Sequence, residues 1–129
     1  MAKDLSGSGQ EAEWRTSIGR SYFAVFNHLR NRLKPLKPLP TTDDIHGLVV
    51  KYLTSANNRE LHSVGQVLKD LRTSRNEADY DLAAAIAQDQ SRLAASKAER
   101  AIEKFEAVPN ATFAAAIRAQ PTYRKDPPP

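Results

Sequence analysis

The sequence predicts an all-α protein, an up-and-down four-helix bundle with a short fifth C-terminal helix. Three observations carry that expectation. Apolar residues recur three and four positions apart through the body of the chain, the spacing that aligns them on one helix face. Alternating, strand-like stretches are absent, and the only β-branched pair in an apolar run, Val49–Val50, lies inside a helical repeat. Prolines and capping residues fall between the repeats, where helices should stop and start. With 129 residues the chain has the length of one domain. No internal repeat of solenoid period is visible.

The first helix is expected from about Gln10 to Leu33, with Trp14, Ile18, Tyr22, Val25, Phe26, Leu29 and Leu33 on one stripe. It should end at Lys34-Pro35, because proline lacks the amide and clashes with the preceding turn. Residues 35–40, PLKPLP, then read as a stiff extended connection. The second helix opens at Thr42-Asp43-Asp44, with Thr42 as N-cap and two carboxylates complementing the positive helix end. Its expected buried face is Ile45, Leu48, Val49, Tyr52 and Leu53. The third opens at Asn57, with Glu60 at capping-box spacing, and carries Leu61, Val64, Val67, Leu68 and Leu71. The fourth is expected from Leu82 to Ala107, its stripe Ile86, Leu93, Ala94, Ala98, Ala101, Ile102 and Phe105. Its alanines favour helix and let a neighbour approach closely. A last short helix, Ala111 to Ala119, follows Pro109-Asn110. Residues 1–9 and the proline-rich 121–129 read as disordered tails around a 10–120 bundle.

Composition removes several kinds of chemistry. With no cysteine there is no disulfide, no thiol nucleophile and no cysteine-ligated metal. Gly19, Gly47 and Gly65 are the only glycines beyond the first nine residues, too few for a phosphate-binding loop. The three histidines show no metal-ligand spacing, so no metal and no cofactor is expected. No apolar run approaches a membrane span, and the N-terminus lacks the apolar core of a signal peptide. A cytoplasmic protein away from membranes is the expectation.

The net charge of +4 is unevenly placed. Residues 1–40 hold seven Lys/Arg against three Asp/Glu, chiefly through Arg20, Arg30, Arg32, Lys34 and Lys37. Such a cluster suits an anionic partner such as RNA; a solvated helix face is the alternative.

The densest polar stretch is Arg72-Thr73-Ser74-Arg75-Asn76-Glu77-Ala78-Asp79-Tyr80-Asp81, expected on the last turns of the third helix and the following link. Arg72 and Arg75 share a face, as do Asn76 and Asp79. Two guanidinium groups beside an amide, a carboxylate and a phenol can contact RNA phosphates. The same residues can also serve structure, with Asp79 or Asp81 capping the fourth helix, Arg75 satisfying carbonyls and Tyr80 packing in the corner.

Two segments resemble a known family. Arg20-Ser21-Tyr22-Phe23-Ala24-Val25-Phe26-Asn27-His28 is similar to the first-helix signature of HEPN-domain proteins. Leu71-Arg72-Thr73-Ser74-Arg75-Asn76-Glu77-Ala78-Asp79-Tyr80 is similar to the L-R-x-x-R-x-x-A-D-Y that such proteins carry before their last long helix. The resemblance covers roughly residues 10–107. It implies a helical bundle of toxin–antitoxin or defence type, a homodimer, and in many cases a nucleotidyltransferase-type partner protein. Active members are metal-independent endoribonucleases whose arginine is followed, after four to six intervening residues, by a histidine. Here Arg75-Asn76 fits the opening pair, but Tyr80, Asp81 and Leu82 stand where the histidine should be. An ordinary tyrosine, with a pKa near ~10, is a poor base at neutral pH.

The expected function is therefore RNA or nucleotide association with a degenerate ribonuclease site. Arg75, Asn76, Asp79 and Tyr80 face the ligand, and Arg72, Arg20 and Arg30 support RNA binding. Two alternatives stay open: an active endoribonuclease using Arg75 with Tyr80 or Asp79, and a non-catalytic adaptor for a nucleotidyltransferase. Arg20 reads either as lining the Arg75 groove or as a buried link to Asp79. His28 reads as a structural hydrogen-bonder. His46 and His62, each in a first helical turn whose dipole disfavours protonation, are unattractive catalysts. Phe23, off the main stripe, is expected at a dimer interface.

Overall fold

The computed structural model describes residues 2–80 and 88–123. Among these are five helices and no strand: α1 Ala2–Leu33, α2 Asp44–Thr54, α3 Arg59–Tyr80, α4 Gln88–Ala107 and α5 Asn110–Arg118. The expected all-α bundle with a short fifth helix is the fold. The predicted start of the fourth helix at Leu82, its stripe residue Ile86 and the candidate cap Asp81 lie outside the described residues, as does the end of the chain after Tyr123.

The stripe on α1 makes the core. Ile18, Tyr22, Val25, Phe26, Leu29 and Leu33 are all buried, with Trp14 packed at the edge. They meet Leu61, Val64, Leu68 and Leu71 of α3 and the small face of α4, where Ser91, Ala94, Ala98, Ala101 and Phe105 are buried. The described helix begins at Ala2, earlier than the expected Gln10. No proline precedes residue 35, and each residue added to a formed helix gains a backbone hydrogen bond.

α1 ends as expected at Pro35, in a turn where the Leu36 and Lys37 amides donate to Leu33 O at 2.9 and 3.0 Å. The connection through Leu39 then returns along the bundle, tucking Leu36 and Leu39 against the core and setting the first turn of α2 beside the middle of α1. Thr42 is not the side-chain cap of α2. Asp43 already has helical dihedrals (φ −60°, ψ −19°), and the backbone carbonyls of Thr42 and Asp43 accept the Ile45 and His46 amides at 3.1 and 3.3 Å. Val49, Tyr52 and Leu53 are buried, while Ile45 and Leu48 are half-buried.

The cap of α3 is Asn58, one residue later than expected: its Oδ1 accepts the Leu61 amide at 3.0 Å. Gly65 lies against the end of α2. A Cβ there would sit 2.8 Å from Thr54 Cγ2 and 2.9 Å from Leu53 Cβ, so the close approach of α2 and α3 requires glycine. α3 then runs unbroken to Tyr80, which puts all of residues 72–80 on helix rather than partly in a link.

Leu93 corrects the α4 stripe, being 56% exposed. Buried residues 94, 98, 101 and 105 step by four and three, and Leu93 stands about 100° round from Ala94. α5 adds Phe113 and Ile117 to the core. Arg32 clamps this end, its guanidinium 4.4 Å from the Phe105 ring and 4.7 Å from the Phe113 ring. It also donates to Phe105 O and Asn110 Oδ1, both at 3.2 Å, joining the Val108 amide on the Phe105 carbonyl at the end of α4. The chain after α5 is held too. Lys37 Nζ donates to Gln120 O at 2.8 Å, Gln120 Nε2 to Tyr52 O at 2.8 Å, and the Tyr123 amide to the Tyr52 hydroxyl at 3.0 Å. Within the expected 121–129 tail, Tyr123 packs on Tyr52, ring centroids 4.9 Å apart.

Two glycine substitutions separate helix propensity from packing. Gly65→Ala should destabilise by about 1–2 kcal/mol, overpacking outweighing the propensity gain. Gly47→Ala, where a Cβ meets nothing within 4 Å, should stabilise by up to about 1 kcal/mol. Urea midpoints at unchanged m-value check both.

Candidate anion-binding groove

Three elements converge on one groove, lined by Phe23 of α1, Asp43 and His46 at the start of α2, and Arg72, Arg75 and Asn76 of α3, about 310 Å³ in volume. Tyr22 lies beneath it. As part of the α1 stripe it points inward and is fully buried; Phe23, the next residue round the helix, emerges at the rim and is 39% exposed.

A buried phenol needs a hydrogen-bond partner. Tyr22 finds it in His46, whose Nδ1 bonds the hydroxyl. The imidazole also packs on Phe26 at a centroid distance of 4.4 Å. Burial pushes the Tyr22 phenol up to about 12, against the opposing pull of Arg72 and Arg75, so the group stays neutral. His46 is pushed below its ordinary value, first by burial and then by Arg72 and Arg75, with Asp43 pulling the other way. At neutral pH the groove thus holds two guanidinium groups beside an uncharged imidazole.

Arg75 is seated on aromatic rings, its guanidinium carbon 4.5 Å from the Phe23 centroid and 5.4 Å from that of Tyr22. Such seating fixes a long side chain at modest cost. Arg72 lies one turn before it on α3 and lines the same groove. Of the residues singled out in the sequence, Arg72, Arg75 and Asn76 come together here. Asp79 and Tyr80 lie on the last turn of α3, and their side chains are outside the described part of the structure.

Arg20 is exposed, and the side chain of Asp79, its expected partner, lies outside the described residues. It lines a broad recess on the outer side of α1 that also takes in Phe23, Asn27 and Arg75, adjoining the groove. A tie between α1 and the end of α3 is made by Arg15, whose guanidinium donates to Ala78 O. Arg30 lies over Phe26 at 5.6 Å and does not line the groove. Arg32 and Lys37, counted in the basic excess of the first third, are engaged with the core and with Gln120.

His46 is the residue that sequence reasoning passed over. Its signal was indirect: a tyrosine inside a core stripe must find a polar neighbour, and spacing does not say which. The other two histidines do not line the groove. His28 Nε2 is 3.4 Å from Glu106 Oε1, its ring against the edge of Phe105, and His62 Nδ1 donates to Thr54 O at 2.9 Å.

Among the described residues, no group of three or more His, Cys, Asp or Glu could hold a metal ion, and no helix is long and apolar enough to cross a membrane. Comparison with family models, curated proteins and solved structures returns no significant match.

The depressed His46 value has a consequence for stability. The folded state binds this proton less readily than the unfolded chain, so stability is complete above the ordinary ~6.5 and falls as pH drops through the lower folded value. His46→Gln, which keeps an acceptor for Tyr22 and does not titrate, should flatten the loss of melting temperature between neutral and mildly acid pH. Thermal denaturation across that range measures it.

Proposed function

We propose that this protein binds RNA through the groove between α1, α2 and α3, as a HEPN-like module of toxin–antitoxin or defence type. The observation that supports the reading is the seating of Arg75 on the partly exposed Phe23 ring, with Arg72 and Asn76 in the same groove. Guanidinium groups take phosphate oxygens, and an exposed ring offers a platform on which a base can stack. Single-stranded RNA suits this combination, since its bases are free to reach an aromatic rim. The similarity of residues 20–28 and 71–80 to the two HEPN motifs supports the same reading.

The likeness extends the proposal to a homodimer acting in the cytoplasm, with a nucleotidyltransferase-type partner protein. The exposed Phe23 rim and the adjoining Arg20 recess are the surfaces available on that side of α1. The ribonuclease motif on α3 is degenerate, with Tyr80 standing in place of histidine.

Binding of a labelled single-stranded oligoribonucleotide, followed by fluorescence anisotropy at several salt concentrations, tests the proposal. Arg75→Ala should weaken binding about tenfold and flatten the salt dependence by roughly 0.7 in log–log slope, the contribution of one phosphate contact on a single strand. Phe23→Ala should weaken binding with the slope unchanged, because stacking releases no counterion. Unaltered affinity in a folded Arg72→Ala/Arg75→Ala protein would overturn the reading.

A further inference from the structure

One residue of the groove has the wrong chemistry for holding phosphate. Arg72 and Arg75 only donate hydrogen bonds, and phosphate oxygens only accept them, so these partners match in sign and in direction. Asp43 lines the same groove from the start of α2, and its carboxylate repels a phosphate. The fold does not use that carboxylate as a cap, since it makes no side-chain hydrogen bond to the first turn of α2. Among the described residues, no side chain hydrogen-bonds or ion-pairs with it. An exposed acceptor in an anion groove favours binding only if the ligand brings it a donor.

We propose that the Asp43 carboxylate accepts the ribose 2′-hydroxyl of the nucleotide whose phosphate lies on Arg72 and Arg75, and so makes the groove selective for RNA over DNA. This rests on the RNA-binding reading above and assigns a specificity-determining residue within it.

The sugar–phosphate backbone of RNA carries one kind of hydrogen-bond donor, the 2′-hydroxyl, and that of DNA carries none. The hydroxyl stands on the carbon next to the one that bears the 3′ phosphate. A phosphate engaged by the two guanidinium groups therefore brings the hydroxyl into the same groove. At about 310 Å³ the groove lies at the small end of ligand sites, roughly 300–1,000 Å³, which suits one sugar and its phosphate. The base is carried outward to the partly exposed ring of Phe23. Each of the three helices then reads a different part of one nucleotide: α3 the phosphate, α2 the sugar and α1 the face of the base. A site built to receive a hydroxyl discriminates against the analogue that lacks it, because the acceptor gives up its water and gains no partner.

Three labelled single strands of one sequence test the proposal with the full chain, by fluorescence anisotropy: RNA, the same strand with 2′-fluoro sugars, and DNA. Fluorine keeps the ribose pucker and cannot donate a hydrogen bond, so the second strand isolates the hydroxyl from sugar shape. The wild type should bind RNA about tenfold more tightly than the 2′-fluoro strand. Asp43→Ala should weaken RNA binding by about tenfold, and should leave the 2′-fluoro strand and DNA equally or more tightly bound, since a like charge is gone. Circular dichroism establishes that the variant is folded. Tightening of all three strands alike by Asp43→Ala would mean that the carboxylate only repels, and overturns the proposal. So does a wild type that binds RNA and the 2′-fluoro strand equally, which is also the result if Asp43 meets a base edge. In both cases the RNA-binding reading stands. Failure of the wild type to bind RNA removes both.

Discussion

A hydroxyl in the middle of a hydrophobic stripe constrains this molecule more than any other single group. Tyr22 is fully buried between α1 and its neighbours, and an unpaired phenol there would forfeit about 1–3 kcal/mol. Its bond to His46 meets that cost, and by doing so it fixes where α2 begins. The connection after Pro35 must return far enough to bring residue 46 beside residues 22 and 26. α3 then follows α2 at the close distance that Gly65 permits, and this carries Arg72 and Arg75 to the same phenol and imidazole. The groove is thus a by-product of satisfying one polar atom in the core.

Electrostatics inside the groove follow from this arrangement. Two guanidinium groups one turn apart on a helix repel each other, and the aromatic faces of Phe23 and Tyr22 give Arg75 a seat that bulk water would not. Burial, reinforced by the same pair of charges, lowers the His46 value, and the pair lends an attractive field to any incoming anion. A phosphate entering would reverse part of that balance, because its negative charge favours the protonated imidazole.

Much of the fold was legible in the sequence because burial has a period. The α1 stripe, the stop at Pro35 and the small face of α4 are all local properties of the chain, and each is found where the spacing puts it. What escaped was set by partners distant in sequence. Leu93 fits an apolar repeat, yet the face that meets α1 and α3 runs through Ala94 and Ala98. Arg32 and Lys37 counted toward a basic patch, yet one is spent on two phenyl rings and the other on a backbone carbonyl. In the groove, Arg72, Arg75 and Asn76 could be grouped because they share one helix. His46 could not, since the three-dimensional neighbour of a histidine is written nowhere near it in the chain.

The tie from Arg15 to the Ala78 carbonyl spans 63 positions, and the core of α1 closes only against α4. A chain emerging from the ribosome therefore exposes α1 first and completes its packing last. Phe23, His46 and the two arginines come from α1, α2 and α3, and they meet on one surface only when those three helices have packed together. The surface they share is thus a product of packing between distant parts of the chain and exists in no single segment of it.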